Sequence, residues 1–337
     1  MRALFDRYPR IATRLARVDL QVSTTPVERW TVDGVTLSMK RDDLSAPALG
    51  GNKVRALELL LAGAGPAHVL LTVGSAGSTH ALSVARHGAQ LGARIEVITW
   101  PQEMNAVAHA TSRALSRVAV VTRARSVADA YLRAALRRLR HRRWWIPAGG
   151  SVPMGALGHV NAALELAAQV AQGIVPVPDV IIAPLGSGGT VAGLLVGLSL
   201  AGLRTRVVGV RVVPRVVANR RRIARLATRT HALVRTLAAD AIPPLDLSRF
   251  AIDDEAFGGA YGRETPAARD ASAALLAAGG PPLDATYSAK AFAVALALAR
   301  GVPRQEVLFW LTFDARWLDD SEPSSRDSTP RLPRPVP

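Results

Sequence analysis

The amino-acid sequence predicts an α/β protein with parallel sheets flanked by helices, and its length predicts about two domains. Short apolar runs rich in Val and Ile alternate with longer runs rich in Ala and Leu. Such short runs suit buried parallel strands, each of which needs a helical crossover to reach the next strand. Glycine-containing turns directly follow two of them, and 337 residues with 49% hydrophobic content can bury a sizeable core.

Each predicted helix or strand is inferred from the types of residue within it. The strands are predicted from short runs of β-branched residues and the helices from longer runs of good helix formers. A helix is also expected to open at Lys53. The other predicted helices are 80–91, 129–143, 154–172, 190–201, 215–238, 266–278 and 290–299, and the predicted strands are 69–73, 94–99, 118–121, 180–183, 207–213 and 307–311. The proline-rich, serine-rich segment 321–337 is expected to be disordered.

Charge and composition disfavour several classes of protein. The net charge is +16, but the arginine-rich segments 133–143 and 220–235 are predicted to be solvated helix faces, and no nucleic-acid-binding motif accompanies them. We therefore expect no specific nucleic-acid partner. No apolar run reaches the roughly 18 to 20 residues of a membrane helix. The sequence has no cysteine, which excludes disulfides and thiolate metal sites and is compatible with a reducing cytoplasm. We expect a cytoplasmic protein and predict no metal site.

Lys53 is the residue best suited to covalent chemistry. It is one of only three lysines, with Lys40 and Lys290, among 42 lysine and arginine residues. It follows Gly50-Gly51-Asn52 and opens a helical run. Lysine can form a Schiff base once its amine is deprotonated in a dry site, whereas arginine cannot. The alternative interpretation is an ordinary lysine on a helix face.

A glycine-rich turn between a strand and a helix predicts an anion site. The turn PLGSGGT spans 184–190, after the strand DVIIA and before the helix VAGLLVGL. Glycine permits the tight turn, and backbone N–H groups at the helix N-terminus can bind a phosphate. A Walker A loop is excluded because no Gly-Lys-Ser/Thr closes the turn. A dinucleotide fingerprint is excluded because Val191 occupies its third glycine position. The alternative is a turn that binds no ligand.

Three further segments carry polar side chains that could meet a ligand. The segment GSAGSTH provides Ser78 and Thr79, LDATYSAKA provides Tyr287 and Ser288, and AYG provides Tyr261. Helix capping is the alternative for the hydroxyls of the first segment. Core packing with a satisfied hydroxyl is the alternative for both tyrosines.

These motifs together resemble a known family. KRDD followed by GGNKVRALELL is similar to the pyridoxal-phosphate-binding segment of fold-type II enzymes related to the tryptophan synthase β subunit. Within these it resembles the 1-aminocyclopropane-1-carboxylate (ACC) deaminase and D-cysteine desulfhydrase branch. The resemblance spans roughly 20–312 and implies that Lys53 binds pyridoxal 5′-phosphate covalently beside Asn52. GSGGT resembles the loop that holds the phosphate of this cofactor, which implies contacts from Gly186, Ser187, Gly188, Gly189 and Thr190.

The resemblance also assigns roles around the substrate. Ser78 matches a serine that contacts the substrate carboxylate or transfers a proton, and Thr79 stands where the family has an asparagine beside the 3′ oxygen of the cofactor. Tyr287 and Tyr261 match tyrosines that neighbour the substrate. Ser288 lies near the pyridine nitrogen, where ACC deaminases carry glutamate and D-cysteine desulfhydrase-like members carry threonine. A hydroxyl there suits α,β-elimination better than the opening of the ACC ring.

The expected function is therefore a lyase or deaminase acting on a small amino acid, with D-cysteine desulfhydrase-like α,β-elimination giving ammonia and a 2-oxo acid. An ACC deaminase, an amino-acid racemase and a β-replacement enzyme on the same scaffold remain alternatives. A catalytically silent relative that still binds the cofactor is a further one. It is favoured by Thr79 and by the last strand, which runs into Thr312-Phe313-Asp314 where the family has His-Thr-Gly-Gly.

The resemblance further implies a nested two-domain organisation of the tryptophan synthase β-like kind. The large domain would consist of 1–54 and 149–320, and the small domain of 55–148. The family also implies a homodimer.

Overall fold

A computed structural model describes residues 3–301 and 305–319 of the protein. The segment 321–337, expected to be disordered, lies outside the described residues. In the described part of the chain no helix is both long enough and apolar enough to cross a membrane.

The strands of the described residues form two sheets. One sheet has six strands in the order β1-β2-β10-β7-β8-β9, and the other has four in the order β5-β4-β3-β6. Within them only β1 and β2 pair antiparallel. The strands are β1 Val27–Val32, β2 Val35–Arg41, β3 Val69–Ser75, β4 Arg94–Trp100, β5 Val120–Arg123, β6 Trp144–Ile146, β7 Val180–Leu185, β8 Arg206–Arg211, β9 Phe250–Asp253 and β10 Val307–Leu311.

Helices cover both sheets, which confirms the predicted fold class. In chain order the helices of the described residues are α1 Ala3–Arg7, α2 Pro9–Arg14, α3 Asn52–Leu60, α4 Thr79–Gln90, α5 Ala106–Val118, α6 Val127–Arg140, α7 Pro153–Ala171, α8 Gly189–Ala201, α9 Arg220–Ala238, α10 Pro266–Ala277, α11 Ser288–Ala299 and α12 Arg316–Asp319.

The short elements α1, α2, β9 and α12 were not predicted from the sequence, and the structure departs from the prediction at several further places. The β1–β2 hairpin was not predicted, although its Asp33-Gly34 turn, with φ of 49° and 75°, is a common signal for such a hairpin. Helix α5 was also missed and takes up the first residues of the strand expected at 118–121, which begins at Val120. The helix expected from Arg215 begins at Arg220 instead, after an Asn219 N-cap.

The two sheets come from different parts of the sequence. The strands of the four-stranded sheet all lie between Val69 and Ile146, within the segment 55–148. Those of the six-stranded sheet lie before and after that segment. This distribution is compatible with the nested organisation expected from the sequence, and the domain boundaries remain a prediction.

Glycines bring the apolar helix α8 close to α7 in the hydrophobic core that these helices form with the six-stranded sheet. A Cβ on Gly193 would lie 2.4 Å from the Cβ of His159, and one on Gly197 would lie 2.5 Å from the Cβ of Ala163. Real Cβ contacts are not that short, so glycine is required at both crossings. This contact fixes the N-terminus of α8, which follows the glycine-rich turn.

A buried cluster of four charged residues ties α3 to β2 and α7. The Arg55 side chain donates to Asp42 at 2.7 Å and to Glu165 at 3.1 Å, and Lys40 Nζ donates to Glu165 at 2.6 Å. All four side chains are at most 1% exposed. Removing one partner from a buried ion pair leaves an uncompensated charge, which costs far more than the loss of an exposed pair.

We therefore expect Glu165→Gln to lower the free energy of unfolding by about 3 kcal/mol or more. The matched change Glu264→Gln, which breaks an exposed ion pair with Arg269, should cost less than about 1 kcal/mol. Urea unfolding of both variants measures the difference. Equal, small losses would show that the buried cluster does not stabilise the position of α3.

Candidate active site

The turn before Lys53 lies against the end of β10. Gly51 has φ of 86°, and a Cβ there would lie 2.5 Å from the carbonyl oxygen of Thr312. That oxygen accepts the backbone N–H of Asn52 at 3.0 Å, and Ser45 Oγ donates to the Gly51 carbonyl at 2.8 Å. The glycines thus allow a close backbone contact that no larger residue could make, and they start α3 at Asn52.

Lys53 is the only lysine of the chain whose amine has no hydrogen bond or ion pair within the described residues. Lys40 Nζ is held by Thr25, Glu165 and Gln169, and Lys290 Nζ by the carbonyl of Phe257 at 2.6 Å. Lys53 instead lines a pocket. Burial lowers the pKa of Lys53 from 10.5 to about 8, with a partial opposing effect from the Asp284 carboxylate. The deprotonated fraction of the amine near neutral pH is therefore far larger than that of an exposed lysine.

The glycine-rich turn lies in the same pocket. Gly188 has φ of 93°, and a Cβ there would lie 2.1 Å from Cδ1 of Ile223, so only glycine fits. Ser151 Oγ accepts the N–H of Gly189 at 3.1 Å, and the first turn of α8 leaves the N–H of Thr190 without an intrahelical acceptor. Asn52 Nδ2 donates to Thr190 Oγ1 at 2.8 Å, joining this turn to the start of α3. The arrangement fits a phosphate at a helix N-terminus.

The pocket brings together nine of the twelve predicted site residues. These are Asn52, Lys53, Thr79, Gly186, Ser187, Gly188, Gly189, Thr190 and Tyr287. Ser78, Tyr261 and Ser288 are not among its lining residues.

Ser78 and Thr79 start α4 at the end of β3. Ser78 is the N-cap, and its side chain accepts the N–H of Ala81 at 3.2 Å, so the capping interpretation applies to it. A Cβ on Gly74 would lie 2.6 Å from Ser78 Oγ, so glycine makes room for this serine. Burial, and then the charge of Lys53, lower the pKa of His80 to about 3, so this neighbouring ring is neutral near pH 7.

The two predicted tyrosines form a hydroxyl pair. Tyr261 Oη lies 2.6 Å from Tyr287 Oη, and the rings meet edge to face at 5.9 Å. Burial raises the pKa of both phenols, so both remain neutral near pH 7. A Cβ on Gly186 would lie 3.0 Å from the Tyr287 ring, which shows how closely the tyrosine approaches the glycine-rich turn.

Asp284 shapes the turn that carries Tyr287. Its carboxylate accepts backbone N–H groups from Thr286 at 3.1 Å, Tyr287 at 2.8 Å and Ser288 at 3.0 Å. Ser288 is fully buried at the first position of α11. Burial raises the pKa of Asp284, although these hydrogen bonds oppose the effect.

Sequence reasoning missed His159 in the pocket and Asn105 at its rim, whereas Pro184 lies in the predicted turn, and Thr312 and Phe313 lie in the segment that departs from the family. The pocket is also lined by Gly149, His159, Pro184, Thr312 and Phe313. His159 is a lone histidine in an alanine-rich helix, and no local pattern marks it as part of a site. Asn105, the N-cap of the unpredicted α5, bridges to the loops of both tyrosines by donating to the Gly262 carbonyl at 3.1 Å and Thr286 Oγ1 at 3.0 Å.

The α/β fold, the partly buried lysine without a hydrogen-bond partner and the phosphate-type turn in one pocket define a cofactor-dependent class of enzyme. The chain belongs to the pyridoxal-phosphate dependent enzyme family, whose model matches residues 18–312. The fold prediction and the cofactor prediction are thereby confirmed. The glycine turn at the N-terminus of α8 and the unpartnered amine of Lys53 fit the phosphate and the aldehyde of this cofactor.

Individual relatives carry different activities. The chain is 34% identical over 305 residues to D-cysteine desulfhydrase from Serratia proteamaculans (strain 568), covering 86% of this chain and 89% of the relative. It is 34% identical over 292 residues to nocardicin C-9′ epimerase from Nocardia uniformis subsp. tsuyamanensis, covering 80% and 84%. A crystal structure of an ACC deaminase homologue superposes with a TM-score of 0.74 at 25% identity, covering 95% of this chain and 98% of that one. The chain is therefore a pyridoxal-phosphate-dependent enzyme related to lyases and deaminases.

Because only the deprotonated amine attacks an aldehyde, we expect covalent capture of pyridoxal phosphate by the cofactor-free protein to accelerate as pH rises through about 8. An exposed lysine would show a midpoint near 10.5 instead. The initial rate of growth of the visible absorption band between pH 6 and 11 measures this midpoint. Lys53→Arg serves as the control and should show no band, because a guanidinium cannot form the bond. A midpoint near that of a free lysine derivative would contradict the burial of Lys53.

Proposed function

We propose that the protein is a pyridoxal-phosphate-dependent lyase that eliminates the β-substituent of a small amino acid, as D-cysteine desulfhydrase does. The observation that carries this proposal is the unpartnered amine of Lys53, which lies in one pocket with the glycine-rich turn and Tyr287. From D-cysteine and water, the products would be hydrogen sulfide, ammonia and pyruvate.

The cofactor would be held at both of its ends. Lys53 would bind its aldehyde carbon, with Asn52 and Thr79 beside the ring oxygen. Ser288 would lie toward the ring nitrogen, where a hydroxyl gives no charged partner. The phosphate would lie at the N-terminus of α8 and contact Gly186, Ser187, Gly188, Gly189 and Thr190. When bound, the cofactor supplies the electron sink that allows the Cα–H bond of the substrate to break.

The residues of the chain would then move the protons. Lys53 Nζ, displaced from the cofactor by the substrate amine, would take the proton from Cα, a role that its lowered pKa suits. Tyr287 lines the pocket and its hydroxyl carries a proton near pH 7, so it would give this proton to the departing sulfur. Tyr261 would orient that hydroxyl through the 2.6 Å contact. The substrate carboxylate would be held by Thr79, or by Ser78 after its side chain gives up the hydrogen bond from the Ala81 N–H.

A racemase is the alternative that a specific observation favours. The relative from Nocardia uniformis is named an epimerase, an enzyme that inverts a carbon centre. On this scaffold Lys53 and a hydroxyl on the opposite face would exchange the Cα proton. An ACC deaminase is less favoured because Ser288 is not a carboxylate. A β-replacement enzyme and a silent relative remain alternatives that product analysis separates.

The setting of the enzyme is also a proposal. We expect a homodimer in the cytoplasm that binds no nucleic acid specifically. The charge of +16 would still cause weak, salt-sensitive binding to polyanions.

Incubation of the loaded enzyme with D-cysteine should release sulfide, pyruvate and ammonia in equal amounts. L-cysteine and ACC, tested in parallel, should react more slowly. Conversion of one cysteine enantiomer into the other without sulfide would establish the racemase instead. No change in any substrate, with the cofactor bound, would establish a silent relative.

Tyr287→Phe should lower kcat for this elimination about 10²-fold or more, because the proton donor for the leaving group is lost. The cofactor should still load, since Tyr287 is not assigned to the phosphate. Tyr131→Phe is the matched control, because Tyr131 is 43% exposed on α6, and it should leave kcat unchanged. An unchanged kcat in the Tyr287 variant would remove this residue from the reaction.

A further inference from the structure

The segment after β10 contacts the turn before Lys53 at more than one point. Besides the bond from Asn52 N–H to the Thr312 carbonyl, the N–H of Gly50 donates to Asp314 Oδ2 at 2.9 Å. Asp314 is only 4% exposed. A hydrogen bond from a backbone N–H to a buried carboxylate is charge-assisted and therefore strong. Both ends of the Gly50-Gly51-Asn52 turn are thus bound to this segment.

Arg316 completes a closed set of hydrogen bonds. Its guanidinium donates to both carboxylate oxygens of Asp314 at 2.8 Å. Its Nη2 also donates to the carbonyls of Asp43 at 3.2 Å and Ala46 at 3.0 Å. Gly50 packs on the same two carbonyls, since a Cβ there would lie 2.6 Å and 3.0 Å from them. The Arg316 guanidinium therefore links Asp314, which accepts the Gly50 N–H, to the two backbone carbonyls on which Gly50 packs.

Aromatic residues anchor the segment on either side of this bond. Phe313 lines the pocket and is 8% exposed, and its ring meets that of Trp317 edge to face at 6.4 Å. Both rings belong to the apolar cluster that includes Leu57 of α3 and Leu82 of α4. The segment is therefore packed as well as hydrogen-bonded, although it replaces a short glycine turn with larger and charged residues.

We propose that Asp314 and Arg316 are positioning residues that hold the Gly50–Asn52 turn, and through it Lys53, in the geometry required to bind the cofactor. Together with Thr312 they form what we call the clasp. The proposal rests on the assignment of Lys53 as the cofactor lysine. Lys53 is the residue directly after the clasped turn, and the turn contains Gly51 at φ of 86°, a conformation that glycine adopts without being confined to it. Besides the clasp, the turn is held by the Ser45 Oγ bond to the Gly51 carbonyl and the Asn52 bond to Thr190. Loosening it would let Nζ leave the pocket and gain water.

The test compares Asp314→Asn, Arg316→Gln and their double variant with wild-type protein. Asp254→Asn is the matched control, because Asp254 also accepts from two arginines, Arg211 and Arg215, and does not line the pocket. Absorption titration gives the Kd for pyridoxal phosphate, and the pH midpoint of covalent capture reports the environment of the Lys53 amine. Thermal unfolding of the cofactor-free proteins identifies variants that are merely destabilised.

Each single clasp variant should raise the Kd for the cofactor about tenfold, which corresponds to about 1.4 kcal/mol, and should move the capture midpoint upward toward that of an exposed lysine. The Kd of the double variant should be about that of the more strongly affected single variant, because both residues act through one hydrogen bond to Gly50. Asp254→Asn should leave both values at those of wild type.

Folded clasp variants with the Kd and the midpoint of wild-type protein would overturn the proposal, even if their unfolding temperatures fell. If Asp314→Asn does not fold, Arg316→Gln decides alone, since its side chain is 48% exposed. Failure of wild-type protein itself to capture the cofactor would instead overturn the assignment of Lys53, and this inference with it.

Discussion

The structure depends on the buried charges that fix the helix carrying Lys53. Arg55 lies two residues after Lys53 on α3 and is paired with Asp42 beyond β2 and with Glu165 on α7. Burying four charges is costly, and apolar residues of similar volume would often be as stable. What such a cluster provides is a single position for α3, because any shift would leave a charge unpaired. The reactive amine is therefore placed by groups that do not line the pocket.

The pocket is formed where several such constraints meet. Glycines at the α7–α8 crossing set the N-terminus of α8, glycines before α3 allow the turn to touch the end of β10, and Gly186 makes room for Tyr287. Each is a close contact that a Cβ would prevent. The result is a polar pocket lined by a lysine whose amine has no partner within the described residues, by a helix N-terminus and by a neutral phenol. This combination suits a phosphorylated aldehyde and a small amino acid better than it suits a nucleic acid.

The sequence predicted the parts of the fold and site that local chemistry determines. Lys53 and the turn at 186–190 were found because their residue types in that order serve few other purposes. The antiparallel β1–β2 hairpin was missed although Asp33-Gly34 indicated it, and α5 was missed because its polar and small residues resemble a loop. His159 could not be found, since its importance arises only from contacts between segments distant in sequence. Asp314 and Arg316 stood out only as charged residues in the segment that departs from the family, and their contacts with the backbone around Gly50 come from the structure. The structure adds that Phe313 lines the pocket and that its neighbour Asp314 binds the turn before Lys53.

The central claim is that Lys53, and neither Lys40 nor Lys290, binds the cofactor. Borohydride reduction of the loaded protein followed by peptide mapping tests it directly, because each of the three lysines has a distinct sequence context. The account predicts one modified peptide, containing Lys53, with the other two lysines unmodified because their amines are held by buried acceptors. Modification of Lys40 or Lys290 in the folded protein, or an unmodified Lys53, would contradict it.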